Sequence, residues 1–175
     1  MKYMIISDIH GMTTNLPVIK DKLDDCDKLI VLGDLYYPEF RNRLSPYYDP
    51  EYIKAFLITE KEKLICLKGN CDRIKNITDN AFPMDDIIKI DNDFYDIYAT
   101  HGHLYNDRNW HQPNSILLFG HYHIPFITKS NSNIFVNPGS ISVPRGKKKP
   151  SYAILTEKDI TIYDIDGQII DQMKL

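Results

Sequence analysis

Two carboxylates, one amide and four imidazoles recur along this chain just after short apolar runs: Asp8 and His10, Asp34, Asn70, His101, and His121 with His123. They belong to five clusters, Asp8-Ile9-His10, Gly33-Asp34, Gly69-Asn70-Cys71-Asp72, His101-Gly102-His103 and Gly120-His121-Tyr122-His123. These donor types hold pairs of divalent transition metals, and such pairs carry out phosphoryl chemistry. Two divalent cations against two carboxylates leave a net positive centre, so phosphate is attracted even in a chain of net charge -3. Each cluster taken singly has a plainer explanation, since Gly-Asp and Gly-Asn mark turns and a histidine pair can simply lie on the surface. In an extended segment, however, residues two apart point the same way, so His121 and His123 can face one centre. Five of the six histidines fall in these clusters, which makes coincidence a poor account of them together.

The elements that position these residues follow from the apolar pattern. Lys2 to Ser7 reads as a buried strand and Leu16 to Leu23 as a helix, with Thr14 or Asn15 as cap and Pro17 in its first turn. Lys28 to Leu32 is the next strand, Asp49-Pro50-Glu51 opens a helix running to Thr59, and Lys63 to Leu67 is a third strand. That alternation implies parallel pairing with right-handed crossovers, and ligands then bind beyond the carboxyl ends of the strands, where Asp8, Asp34 and Asn70 fall. Farther on, Ile87 to Ile90, the turn Asp91-Asn92-Asp93 and Phe94 to Ala99 read as a hairpin. Ser115 to Phe119, Pro125 to Thr128 and Ile134 to Val136 are further short strands. Ser151 to Leu155, Ile160 to Tyr163 and Gln168 to Ile170 complete an antiparallel set with Asp166-Gly167 as its last turn. The expected architecture is α/β, two mixed sheets packed face to face with helices outside.

The 175 residues fit a single domain spanning 1–175 with a sizeable core. The negative net charge excludes a generally basic nucleic-acid surface. Arg145-Gly146-Lys147-Lys148-Lys149 is a local basic run read as a solvated loop. The first apolar run, ending at Ser7, is too short for a signal peptide or membrane span, so a cytoplasmic, non-membrane protein is expected. Cys26, Cys66 and Cys71 are odd in number and lack a CxxC spacing, which indicates neither a disulfide framework nor a structural zinc site. Cys26 and Cys66 are expected in the core, whereas Cys71 lies inside a ligand cluster.

Taken together, Ser7-Asp8-Ile9-His10-Gly11, Gly33-Asp34-Leu35, Lys68-Gly69-Asn70-Cys71-Asp72, Thr100-His101-Gly102-His103, Gly120-His121-Tyr122-His123 and Asn137-Pro138-Gly139-Ser140 resemble the motifs of the calcineurin-like metallophosphoesterases. Within them the likeness is to the small phosphodiesterases of the YfcE type, over nearly the whole chain. The resemblance implies a four-layer α/β/β/α sandwich. It places Asp8, His10 and His123 on one metal ion, Asn70, His101 and His121 on a second, and Asp34 between them. Manganese is the ion it favours, and Fe, Co, Ni or Zn also suit the mixed nitrogen and oxygen donors. The implied activity is a binuclear metal-dependent phosphodiesterase, acting by in-line attack of a metal-bridging hydroxide on a small phosphodiester, in a chain that self-associates.

Asn70, Cys71 and His103 are the candidates for direct catalytic roles. Many larger relatives have His where this chain has Cys71, and a thiol with a pKa of about 8.5 is a poor acid at neutral pH. Diesters with good leaving groups are therefore expected over alkyl monoesters. His103 either donates a proton near the centre or orients His101 by hydrogen bond. Close relatives carry a His-Gly-Pro run where this chain has Pro38-Glu39-Phe40, and Arg41 just after it is the candidate phosphate contact. Tyr36, Tyr37, Tyr47 and Tyr48 suit stacking on an aryl group or, more simply, packing and subunit contact. Two other readings compete: a protein-binding scaffold, as in the retromer small subunit of the same fold, and a nuclease using the lysine run.

Overall fold

Tyr3–Ile6 forms a strand, β1, that is buried on both faces in the computed structural model, which describes residues 1–37, 44–72 and 81–175. Met4 and Ile6 point toward α1 (Leu16–Leu23) and α2 (Pro50–Thr59), meeting Ile19, Leu23, Ile53 and Leu57. Tyr3 and Ile5 point the opposite way, into a core shared with the second sheet through Ile97, Ile116 and Leu118. This double burial is why the strand reads as an unbroken apolar run. β2 (Lys28–Val31) pairs in parallel with β1 and with β3 (Leu64–Cys66), as the alternation predicts.

α1 has only eight residues, too few to be stable in isolation. Leu16, Ile19 and Leu23 share one face and are fully buried, each worth about 1.5–3 kcal/mol, so docking rather than propensity holds it. α2 is capped by Asp49, whose carboxylate accepts the Tyr52 N–H at 2.9 Å, with Pro50 in the first turn. The start of α1 differs from expectation. Asn15 occupies the cap position, yet its amide donates to the Ile141 carbonyl at 2.6 Å and ties the helix to a loop behind the site.

The second sheet is built from β4 (Ile87–Ile90), β5 (Asp96–Thr100), β6 (Ser115–Phe119), β7 (Pro125–Ser130) and β8 (Asn133–Pro138), in the order β4-β5-β6-β8-β7. β9 (Ser151–Leu155), β10 (Asp159–Asp164) and β11 (Ile169–Lys174) return to the first sheet, giving β11-β10-β9-β1-β2-β3. β5, β6 and β8 run parallel, while β4 and β7 flank them antiparallel. The hairpin expected from Phe94 opens later, because the Asn92 carboxamide oxygen accepts the Phe94 and Tyr95 N–H groups at 2.8 and 3.2 Å. The outer strands meet where the Ile127 N–H of β7 donates to the Asp171 carboxylate of β11 at 2.9 Å.

Two mixed sheets face to face are the sandwich expected. The two described helices cover the first sheet. On the outer face of the second, Leu117, Phe119 and Phe135 pack beneath Tyr98, Trp110 and Tyr122. Cys26 and Cys66 are buried as expected. No described helix is long and apolar enough to cross a membrane.

Candidate metal centre

β1, β2 and β3 release the chain at one edge of the first sheet, and β5 and β6 bring their carboxyl ends against it. Close approach depends on small residues. A Cβ on Gly33, at φ +95°, would sit 2.5 Å from the Gly69 nitrogen, and one on Gly120 would sit 2.9 Å from the Asp8 carboxylate. Immediately past the strands, Asp8, His10, Asp34, His121 and His123 all take left-handed backbone, with φ of 54°, 51°, 55°, 65° and 58°. Such non-glycine residues are uncommon and cluster at functional sites, where the surroundings over-determine them.

Those surroundings can be named. Ser140 and Ser142 hydroxyls donate to the Asp8 carbonyl at 2.8 and 2.9 Å, and Ser142 also reaches the Ile9 carbonyl at 2.7 Å. Asn137 donates to the Gly120 carbonyl at 2.7 Å, so the Asn137-Pro138-Gly139-Ser140 turn supports the loops on both sheets. The buried Asp72 carboxylate accepts the N–H groups of Asp34, Gly69 and Leu35 at 2.8, 2.9 and 2.9 Å. Burial raises its pKa, against the three donors that favour the charged form.

Three imidazoles are pinned in the same way. Nδ1 of His10, His101 and His123 lies 2.8, 2.6 and 2.6 Å from the carbonyls of Tyr37, Leu32 and Val143. A carbonyl only accepts, so each Nδ1 carries the proton and each neutral ring presents a bare Nε2 lone pair. Those lone pairs point at other acceptors. His101 Nε2 is 3.0 Å from Asn70 Oδ1 and 3.4 Å from Asp34 Oδ2, and His123 Nε2 is 3.2 Å from Asp8 Oδ1. His10 Nε2 and Asp8 Oδ1 are buried without a hydrogen-bond partner. Acceptors so close repel unless a proton or a metal cation lies between them.

Without a cation, protons take that role. Burial opposes charge on His101, but the Asp34 hydrogen bond and the Asp8 and Asp34 charges prevail and raise its pKa to about 9. His123 is raised likewise, burial being outweighed by Asp8. Asp8 and Asp34 are both lowered: burial pushes them up, and the histidines, His123 for Asp8 and His101 for Asp34, pull them further down. Asp8 with His10 and His123, Asp8 with Asp34 and His101, and His10 with Asp34 and Cys71 each gather donor atoms within 4.8 Å of one another and could hold an ion. Carboxylates with Nδ1-protonated imidazoles are the donors of a transition-metal centre.

The remaining candidates stand on the outer side. Asn70 is exposed, its amide nitrogen 3.3 Å from Cys71 Sγ. His121 is half-buried; its backbone N–H donates to Asp8 at 3.1 Å and its ring centroid is 5.2 Å from that of His101. Its ring is not in the groups gathered within 4.8 Å among the described residues. Cys71 is half-buried, its N–H donating to Asp34 at 2.8 Å, and burial and the Asp34 charge push its thiol up to about 12. His103 sits 5.4 Å ring to ring from His101 and does not orient it by hydrogen bond: the Leu32 carbonyl does that. Its own Nδ1 is buried without a partner, and burial and the His101 charge lower its pKa. Arg41 and the Pro38-Glu39-Phe40 departure lie outside the described residues. Tyr36 belongs to the core, and Tyr48 donates to its carbonyl at 3.0 Å, so both are packing residues; Tyr47 is exposed.

A family model described as the calcineurin-like phosphoesterase superfamily domain matches residues 1–159. The chain belongs to this superfamily. Phosphodiesterase YfcE of Escherichia coli strain K12 is 30% identical, over 97% of this chain and 95% of that protein. Probable metallophosphoesterase YsnB of Bacillus subtilis strain 168 is 28% identical, over 99% of this chain and 97% of that one. Among solved structures, E. coli YfcE superposes with a TM-score of 0.92 at 29% identity, covering 99% of this chain and 98% of that one. Vacuolar Protein Sorting 29 from Cryptosporidium parvum has a TM-score of 0.65 at 19% identity, covering 99% and 97%, and shares the fold alone.

Sequence reasoning passed over Asp72, Ser142 and the three orienting carbonyls. Asp72 carried a signal, two residues after Asn70 in the turn that Gly69 opens. A carbonyl has none, because every residue owns one.

Proposed function

We propose that this chain is a binuclear metal-dependent phosphodiesterase. It is a phosphoric diester hydrolase whose centre is the facing set of bare Nε2 and carboxylate atoms, with Nδ1 groups pinned by Leu32, Tyr37 and Val143. That set is the single observation carrying the reading. Asp8, His10 and His123 would hold one ion and Asn70, His101 and His121 the other, with Asp34 available to both. When bound, two divalent ions, manganese foremost, supply an activated water for in-line attack at phosphorus and positive charge for the oxygens that gain electrons. The likeness to phosphodiesterase YfcE supports diester bonds as the target.

The chain's own residues set the rest. His101, His10 and His123 are held in one tautomer, so no reorientation is needed as charge develops. His103, kept neutral beside His101, offers a hydrogen bond to a phosphate oxygen instead of a full proton. Cys71, held as a thiol, neither competes as a nucleophile nor protonates a leaving oxygen well, which favours small diesters with good leaving groups. Arg41 is the substrate contact assigned from sequence.

The donor groups gathered at the sheet edge argue against the competing reading of a non-catalytic protein-binding scaffold. A nuclease role loses support where Lys149 is engaged with Asp164 and Asp166 at 3.1 and 2.7 Å. One domain across 1–175 is supported by the core that joins both sheets. Self-association, favoured by exposed Leu44, Tyr47 and Tyr52, and a cytoplasmic place of action complete the reading. The test is a screen of manganese-loaded protein on aryl and nucleotide diesters, monoesters and single-stranded nucleic acid, with bound metal counted. Two ions per chain with diester turnover is the expected result. Full loading with no turnover of any diester overturns the enzyme.

A further inference from the structure

The third donor group contains sulfur. Cys71 Sγ, His10 Nε2 and an Asp34 carboxylate oxygen lie within 4.8 Å of one another. His10 is only 2% exposed, and its Nε2 has no hydrogen-bond partner. Nε2 stands 3.7 Å from Asp34 Oδ2, and Cys71 is drawn to the same carboxylate by its own N–H at 2.8 Å. The Asn70 amide approaches Sγ at 3.3 Å, a donor suited to a thiolate. Within this group only the sulfur is superfluous for an ion that prefers oxygen and nitrogen.

We propose that Cys71, together with His10 and Asp34, binds thiophilic divalent ions such as zinc or cadmium through sulfur, a mode that manganese does not use. The proposal rests on the metal-centre reading of His10 and Asp34 given above. Bonds of about 2.0–2.3 Å from one tetrahedral zinc-like ion place its ligand atoms about 3.3–3.8 Å apart. The His10–Asp34 pair at 3.7 Å already has that spacing, and sulfur, within 4.8 Å of both, reaches it by a shift of at most about 1.5 Å. As the S–metal bond forms, the S–H bond breaks and its proton passes to the buffer. Soft ions favour thiolate and hard ions ignore it, so ion identity decides whether Cys71 faces the substrate or is tied to the metal.

The test titrates ion-free protein with cadmium, following the ultraviolet thiolate-to-cadmium charge-transfer band and measuring bound cadmium by equilibrium dialysis. The wild-type chain should saturate at one sulfur-bound cadmium. Cys71→Ser and Cys71→Ala should both lose the band and bind that cadmium at least about tenfold more weakly, the scale on which even a supporting partner matters for metal affinity. Both variants should still take up manganese, which shows that they are folded. Cadmium uptake without the band, or a band that survives both substitutions, overturns the sulfur ligand while a protein loading two manganese ions keeps the centre. Failure to bind either ion overturns the centre and the sulfur ligand with it.

Discussion

Asp8, His10, His101 and His123 are nearly solvent-free and each is held by backbone contacts, whereas Asn70, Cys71, His103 and His121 are half-buried or exposed with fewer constraints. The inner group arises where the apolar strands stop, so the core that buries the strands also fixes these proposed ligands. The outer group borders solvent, where a substrate must enter. Affinity for ions should therefore be concentrated in the inner group, and selectivity among ions and substrates in the outer one.

The largest effect should come from the shared carboxylate. Asp34→Asn is expected to drop bound metal from about two ions per chain to below one, and diester turnover by about 10³ or more, since one electrostatic partner alone is worth 10²–10³. Elemental analysis with a rate measurement decides it, and two ions retained would show that Asp34 is not the hinge of the centre. Next, His101→Ala should lower kcat by about 10²–10³ at saturating manganese. Its melting midpoint should fall by only a few degrees, as about 1 kcal/mol corresponds to 2–4 °C for a chain of this size. An unchanged rate would move His101 out of the centre.

Acidity should act through the inner group as well. His101 in the ion-free site holds its proton up to about 9, chiefly because the Asp34 and Asp8 carboxylates outweigh burial. A metal must displace that proton, so affinity should rise with pH from about 6 to about 9 and level off above, by up to about tenfold per unit for this group. Calorimetry in buffers of different ionisation heat should find a proton released near neutrality. An affinity that is flat across this range would break the link. The smallest effect is expected outside: Cys71→His should raise monoester relative to diester kcat/KM several-fold, on the order of 1 kcal/mol. An unchanged ratio would remove Cys71 from substrate choice.

Much of this division was legible in the sequence. Asp8, Asp34 and His101 could be placed at strand ends because β1, β2 and β5 are short runs with clear apolar patterns, and α1 was bounded at Leu16 and Leu23 by its cap position and its apolar spacing. What escaped depends on pairing or on groups without identity. The parallel alignment of β5, β6 and β8 is not announced, since the segment joining β5 to β6 carries no helical pattern. The side chain of Asn92 delays β5 through a local hydrogen bond that an alternation pattern does not register. Asn15 abandons its capping role because Ile141, far along the chain, offers a better partner. The carbonyls of Leu32, Tyr37 and Val143, which decide the tautomers, belong to residues chosen for other reasons.

The left-handed turns at five of the proposed ligand positions have a thermodynamic corollary. Each such conformation in a residue with a side chain costs on the order of 1–2 kcal/mol. Five together approach the whole margin of about 5–15 kcal/mol that keeps a domain folded. A ligand that binds only the folded form raises stability by RT ln(1 + [L]/Kd), about 2.7 kcal/mol at a hundred times Kd. The supply of metal would then act as a rheostat on the lifetime of the chain, and a starved cell would lose the protein itself through faster unfolding and degradation before it lost a merely idle enzyme.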